Sequence, residues 1–186
     1  DQRMSGGTAE RVLIAGNTSL HVLTENDVAF PDEALSVEIE TNGTALRPVA
    51  NLPPIRDADL SLRVSGRTAR LTLGRGTIEV APGRRLNIAN GSFEIPDTHE
   101  SPSPAVSKFR IDGSVGAAAA LLAYEPLRGS ASAMLDAAKT RGTVAAQVTV
   151  NLDIGRDDVS NVAYSVAADL GNFAGGNLLM GYKVEA

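Results

Sequence analysis

Residues 59–95 read DLSLRVSGRTARLTLGRGTIEVAPGRRLNIANGSFEI, and this stretch decides the fold. Leu60, Leu62 and Val64 share one parity, with Ser61, Arg63 and Ser65 between them. After Gly66-Arg67 the pattern resumes with Ala69, Leu71 and Leu73, and after Gly74-Arg75-Gly76 with Ile78 and Val80. Leu86 and Ile88 follow Pro82-Gly83, and Phe93 and Ile95 follow Asn90-Gly91. Side chains along a strand point to opposite faces in turn, so each run has one apolar and one polar face. Short Gly-containing breaks join antiparallel neighbours. The reading is a five-stranded meander, apolar on one side and wet on the other.

The flanking chain continues in the same manner. Residues 1–9 are polar and glycine-containing and read as a frayed end; residues 10–186 read as one segment of a longer protein. Val12/Ile14 and Leu20/Val22 flank a turn at Gly16-Asn17, and Leu35, Val37 and Ile39 form a strand ended by Asn42-Gly43. Pro53-Pro54 marks an extended link into the meander. Residues 97–106 are a loop or linker, after which Phe109 and Ile111 resume strand alternation. The period then changes. Residues 116–124 are rich in Ala and Leu, and 130–139 place Ala133, Met134, Ala137 and Ala138 at helical spacing, so two short helices are predicted. The longest strand carries Val144, Ala146, Val148, Val150, Leu152 and Ile154 on one parity. A turn near residue 156 returns the chain through Val162, Tyr164, Val166, Ala168 and Leu170. The fold class is mainly β: a long twisted antiparallel meander curled into an open groove or half-barrel, with two inserted helices.

Composition narrows the function classes. Net charge is −5, which argues against a nucleic-acid surface. Cysteine is absent, so disulfides, thiol nucleophiles and Cys-based metal sites are excluded. Aromatics are 4% with no Trp, so apolar bulk is aliphatic. The two histidines, His21 and His99, lie far apart with no acid-rich motif around either. Asp57-Ala58-Asp59 and Asp157-Asp158 sit where turns are expected, and no calcium-loop pattern follows them. No nucleophile elbow, phosphate-binding loop or zinc-protease helix is present. The expectation is a protein that is not an enzyme and needs no cofactor or metal.

The apolar parity itself is then the candidate site: Leu60, Leu62, Val64, Leu71, Leu73, Ile78, Val80, Leu86, Ile88, Phe93, Ile95, Phe109, Ile111, Val144, Val148, Val150, Leu152, Val162, Tyr164 and Val166. Two readings of it stand side by side. It is the dry core of a structural or protein-interaction β-domain, or it is an open groove finished by a ligand with acyl chains. Periodicity does not separate them.

A family resemblance bears on the choice. Asn51-Leu52-Pro53-Pro54-Ile55, Ala58-Asp59-Leu60, Leu71-Thr72-Leu73, Gly76-Thr77-Ile78-Glu79-Val80 and Pro82-Gly83-Arg84-Arg85-Leu86 carry it. So do Gly91 to Asp97, Gly113-Ser114-Val115 before an Ala/Leu helix, Glu125-Pro126-Leu127, Gly142-Thr143-Val144 and Val162-Ala163-Tyr164. From about Leu35 onward the chain resembles the central region of YhdP-type proteins of the AsmA-like family. The resemblance implies an envelope protein of Gram-negative bacteria, anchored in the inner membrane by an N-terminal helix absent from this sequence. It also implies a periplasmic β-groove that carries phospholipid between the two membranes, with no catalytic residues.

Overall fold

The computed structural model describes residues 4–17, 34–48, 51–125, 127, 138–155, 159–179 and 182–185. Its strands are β1 (Met4–Ser5), β2 (Thr8–Gly16), β3 (Leu35–Leu46), β4 (Ile55–Ser65), β5 (Ala69–Ala81), β6 (Arg84–Ile95), β7 (Ser103–Ser114), β8 (Arg141–Ile154), β9 (Val159–Leu179) and β10 (Tyr182–Glu185). One helix, α1 (Val115–Leu122), stands among them. Among the described residues all strands belong to one antiparallel sheet, and no pairing closes it on itself. Nine follow in the order β1-β3-β4-β5-β6-β7-β8-β9-β10, and β2 pairs with β3 in line with β1.

The alternating pattern is realised in longer strands than the sequence suggested. Residues 59–95 form most of β4, then β5 and β6, rather than five short strands. The reversals are at Gly66-Arg67 and Pro82-Gly83, whereas Gly74-Arg75-Gly76 and Asn90-Gly91 lie inside strands. What changes at those interior points is which face the side chains take. Inward residues are spaced three apart once in each of four neighbouring strands: Thr41/Thr44, Ile55/Ala58, Leu73/Gly76 and Ile88/Gly91. An extra residue in a strand has this effect, and a left-handed backbone accommodates it. Asp57 (φ 52°), Asn90 (φ 53°) and Gly43 (φ 64°) supply that conformation along the row. Leu73 faces Gly91, and Gly76 faces Ile88. A Cβ on Gly91 would meet the Leu73 Cβ at 2.7 Å, so the glycine makes room for the leucine opposite. Asn42-Gly43, expected to end a strand, is part of the same row within β3.

The start of the chain joins the sheet earlier than its polar composition suggests. Met4 and Ser5 pair with Leu46 and Ala45, and Thr8 pairs with Asn42. The loop from residue 96 to 102 separates no domains, because β6 and β7 pair across it. It is fastened by Thr98 N–H donating to the Arg67 carbonyl (2.7 Å) and by an Arg67–Asp97 ion pair.

The first predicted helix is present, shifted slightly to Val115–Leu122. Ser114 caps it by accepting a hydrogen bond from the Ala117 N–H at 3.1 Å. Ala123 closes it, and Tyr124 then anchors the exit by donating to the Val80 carbonyl at 2.9 Å. Most of the second predicted helix, 130–137, lies outside the described residues; Ala138 and Lys139 form a turn. The predicted run Leu20/Val22 likewise lies outside them.

Candidate functional site

Directly opposed residues of antiparallel strands present their side chains on the same face. The register therefore traces the apolar face residue by residue. Val37 and Ile39 of β3 oppose Val64 and Leu62 of β4, which oppose Ala69 and Leu71 of β5. Leu71 opposes Phe93, Ile78 opposes Leu86, and Ile88 opposes Ile111. Phe109 opposes Val148, which opposes Val166; Val150 opposes Tyr164; Ala105 opposes Leu152. Val80 and Val144 continue the alternation of Ile78 and Ala146, and Val162 that of Tyr164. Every predicted lining residue thus lies on one face of one sheet.

That face is not uniform. Its first part is closed by α1, which lies against β5, β6, β7 and β8. Ala117 and Leu121 pack there with Ile55, Leu60, Leu73, Ile78, Val80, Leu86 and Ile88, all buried. Beside them Val115 packs with Val144, Ala146 and Phe173. Leu71, Phe109 and Ile111 border this cluster and are half-buried. Its second part lies toward the other strand ends, where Leu62, Val64, Phe93, Ile95, Val148, Val150 and Leu152 are all half-buried. From Val148 to Ile154 this part runs roughly 20 Å along β8, at about 3.4 Å per residue. The third part is the outer margins. Val162, Tyr164 and Val166 on β9 are 58%, 75% and 57% exposed, and Val12 and Ile14 on β2 are 59% and 68% exposed.

The opposite face is a lattice of surface charges. Glu38 opposes Arg63 with 3.2 Å between them, and Arg70 opposes Glu94 at 2.6 Å. Arg75 reaches Asp59 at 2.6 Å, and Arg110 reaches Asp112 on its own strand at 2.8 Å. The hydrogen bonds from Arg110 hold the Asp112 carboxyl below its ordinary range. Exposed pairs of this kind contribute little stability each, but they keep the two faces chemically distinct. Gln147 and Asn151 continue the wet face on β8.

No group of three or more acidic, His or Cys side chains that could hold a metal occurs among the described residues. His99 sits in the 96–102 loop beside Asp97, which accepts its backbone N–H at 2.9 Å. That hydrogen bond first, then the one from Arg67, lowers the Asp97 pKa. No helix among the described residues is long and apolar enough to cross a membrane. What sequence reasoning did not locate is the boundary between the part of the apolar face that α1 covers and the part that no described helix covers. The signal for it was the small residues of α1, Gly116 to Ala120, whose short side chains let the helix lie close on the sheet. No protein-family model, curated protein or solved structure matches the chain.

Proposed function

We propose that the chain is a section of a periplasmic lipid conduit, binding phospholipid acyl chains along the part of its apolar face that lies beyond α1. The observation that carries this reading is the half-burial of Leu62, Val64, Phe93, Ile95, Val148, Val150 and Leu152 on a face that α1 covers only in part. Each CH₂ that an acyl chain removes from water there contributes about 0.8 kcal/mol. The aliphatic composition of the lining suits chains of no fixed shape. Anchorage in the inner membrane, through a segment outside this sequence, and movement of lipid toward the outer membrane rest on the resemblance to AsmA-like proteins.

The competing reading, a structural or protein-interaction β-domain, is favoured by the helix-covered part, which is an ordinary dry core. Organic extraction of the purified protein followed by lipid mass spectrometry separates the two. The conduit reading expects co-purified phospholipid, reduced when Val150 or Leu152 is replaced by Asp. Protein that carries no phospholipid, and takes none up from vesicles, overturns it.

A further inference from the structure

The chain contains Asn-Gly twice, at 42–43 and 90–91, and both pairs fall on the row of interior bulges. The dipeptide carries its own chemistry. The backbone nitrogen after an asparagine can attack the side-chain amide carbon, and glycine, lacking a Cβ, leaves that approach open. The fold treats the two pairs differently. Asn42 and Gly43 are both exposed, and apart from the chain neighbours no atom lies within 4 Å of where a Gly43 Cβ would stand. Toward β4 the register shifts here, with Thr41 opposite Leu60 and Thr44 opposite Ala58. On the other side Asn42 opposes Thr8 and Ala45 opposes Ser5. Among the described residues Gly43 therefore stands in neither ladder. Asn90 is exposed as well, but Gly91 is buried opposite Leu73, whose Cβ a Gly91 Cβ would meet at 2.7 Å. The pairing with β5 runs past it without a shift, from Ala89 opposite Arg75 to Ser92 opposite Thr72.

We infer that Asn42 is a site of spontaneous modification, deamidating through a cyclic imide with Gly43, and that the fold shields Asn90 from the same reaction. In the first step the Gly43 nitrogen gives up its proton and bonds to the Asn42 side-chain carbonyl carbon, and ammonia leaves. Water then adds to either carbonyl of the imide, and the bond from that carbon to the ring nitrogen breaks. Opening at the side-chain carbonyl yields aspartate in an ordinary main chain. Opening at the backbone carbonyl yields isoaspartate, in which the main chain runs through the former side chain and gains a methylene. Either product adds a negative charge to a chain whose net charge is already −5. The bulge in β3 accommodates the change. The Thr44 hydroxyl donates to the Thr41 hydroxyl at 2.9 Å, bridging the two residues, and the ladder to β4 is already interrupted between them. At Asn90 the imide would pull Gly91 out of its place opposite Leu73, so the reaction there waits on local opening of β5 and β6.

The test holds the folded protein in mildly alkaline buffer, with samples digested at mildly acidic pH for peptide mapping by mass spectrometry. Each conversion loses ammonia and gains water, so the mass rises by about 1 Da. Aspartate and isoaspartate should accumulate at position 42 at least about ten-fold faster than at position 90. Asn42→Gln should remove this early mass gain. Unfolding in guanidinium chloride should bring the two sites to equal rates, because both asparagines precede glycine. Equal rates at the two sites in the folded chain, or faster conversion at position 90, overturn the inference. So does a folded chain in which Asn42 stays intact while the same residue converts in guanidinium chloride.

Discussion

Placing a carboxylate at two positions of the same apolar face should have very different consequences. Ile78 is 7% exposed and packs in the cluster sealed by Ala117 and Leu121. Ile78→Asp loses about 1.5–3 kcal/mol of side-chain burial. A carboxyl in such surroundings has its pKa raised by about 3–5 units, so at about pH 7 it takes up a proton, and at about 1.36 kcal/mol per unit between its unfolded pKa and that pH the cost is roughly 4 kcal/mol. The sum, about 5–7 kcal/mol, is comparable with the whole stability of a typical domain, about 5–15 kcal/mol. Val150 sits between Ser107 and the exposed Tyr164, and is itself half-buried. A carboxylate there keeps much of its water. Val150→Asp then loses part of one valine's burial and some strand propensity, about 1–2 kcal/mol together. For a chain of this size that lowers Tm by about 2–8 °C. Thermal and urea unfolding followed by circular dichroism measures both. Ile78→Asp should be largely unfolded at 25 °C, and Val150→Asp should fold. Equal collapse of the two would show that the face beyond α1 is as dry as the face beneath it. Survival of Ile78→Asp with a loss under about 2 kcal/mol would show that α1 does not seal the cluster.

Other changes test the supports of this arrangement. Gly91→Ala drives a methyl to 2.7 Å from the Leu73 Cβ and should cost about 1–3 kcal/mol in urea unfolding, with partial recovery when Leu73→Ala is added. Ser114→Ala removes the cap of α1 and should cost about 0.5–2 kcal/mol, whereas Ser114→Asp should retain most of the stability. The Asp97 pKa is lowered in the fold by the His99 N–H and by Arg67, so its contribution is present above the ordinary carboxylate value of 3.8 and fades as pH falls through the lower folded value. Asp97→Asn should therefore reduce the urea midpoint at about pH 7 and differ little from the parent at about pH 2.

Much of the face was legible in the sequence because alternation is a local property. Leu60 to Val64, Leu71 to Leu73 and Val144 to Leu152 each announce their parity without reference to a partner, and the register then sets them side by side. The lengths of the strands were not legible. Gly74-Arg75-Gly76 and Asn90-Gly91 are turn residues and bulge residues alike, since both uses draw on left-handed or crowded backbone. Only the facing strand decides between them: Leu73 opposite Gly91 and Gly76 opposite Ile88 carry the chain straight on. Pro82-Gly83 was read correctly because Gly83 (φ 74°) has no strand beyond it to pair with before Arg84 returns against Ala81. The exposure of Val162, Tyr164 and Val166 was also hidden. Alternation reveals which face a side chain takes, not whether another strand lies beside it.

The order of the strands has a bearing on how such a chain can change in length. Among the described residues, from β4 to β10 each strand pairs only with its neighbours in sequence. Stability in this layout is close to a sum over adjacent neighbours, as in solenoids, so a unit can be gained or lost without redesigning distant contacts. The natural unit is two strands. Removing or adding one hairpin preserves both the direction of every later strand and the face its side chains take. Changing the count by a single strand would send the next connection out from the opposite end of the sheet, away from the helix. Growth of this architecture is therefore quantised in pairs, and a duplicated hairpin lengthens the apolar surface by about 10 Å, two strand spacings of roughly 4.8 Å each, at no cost to its register.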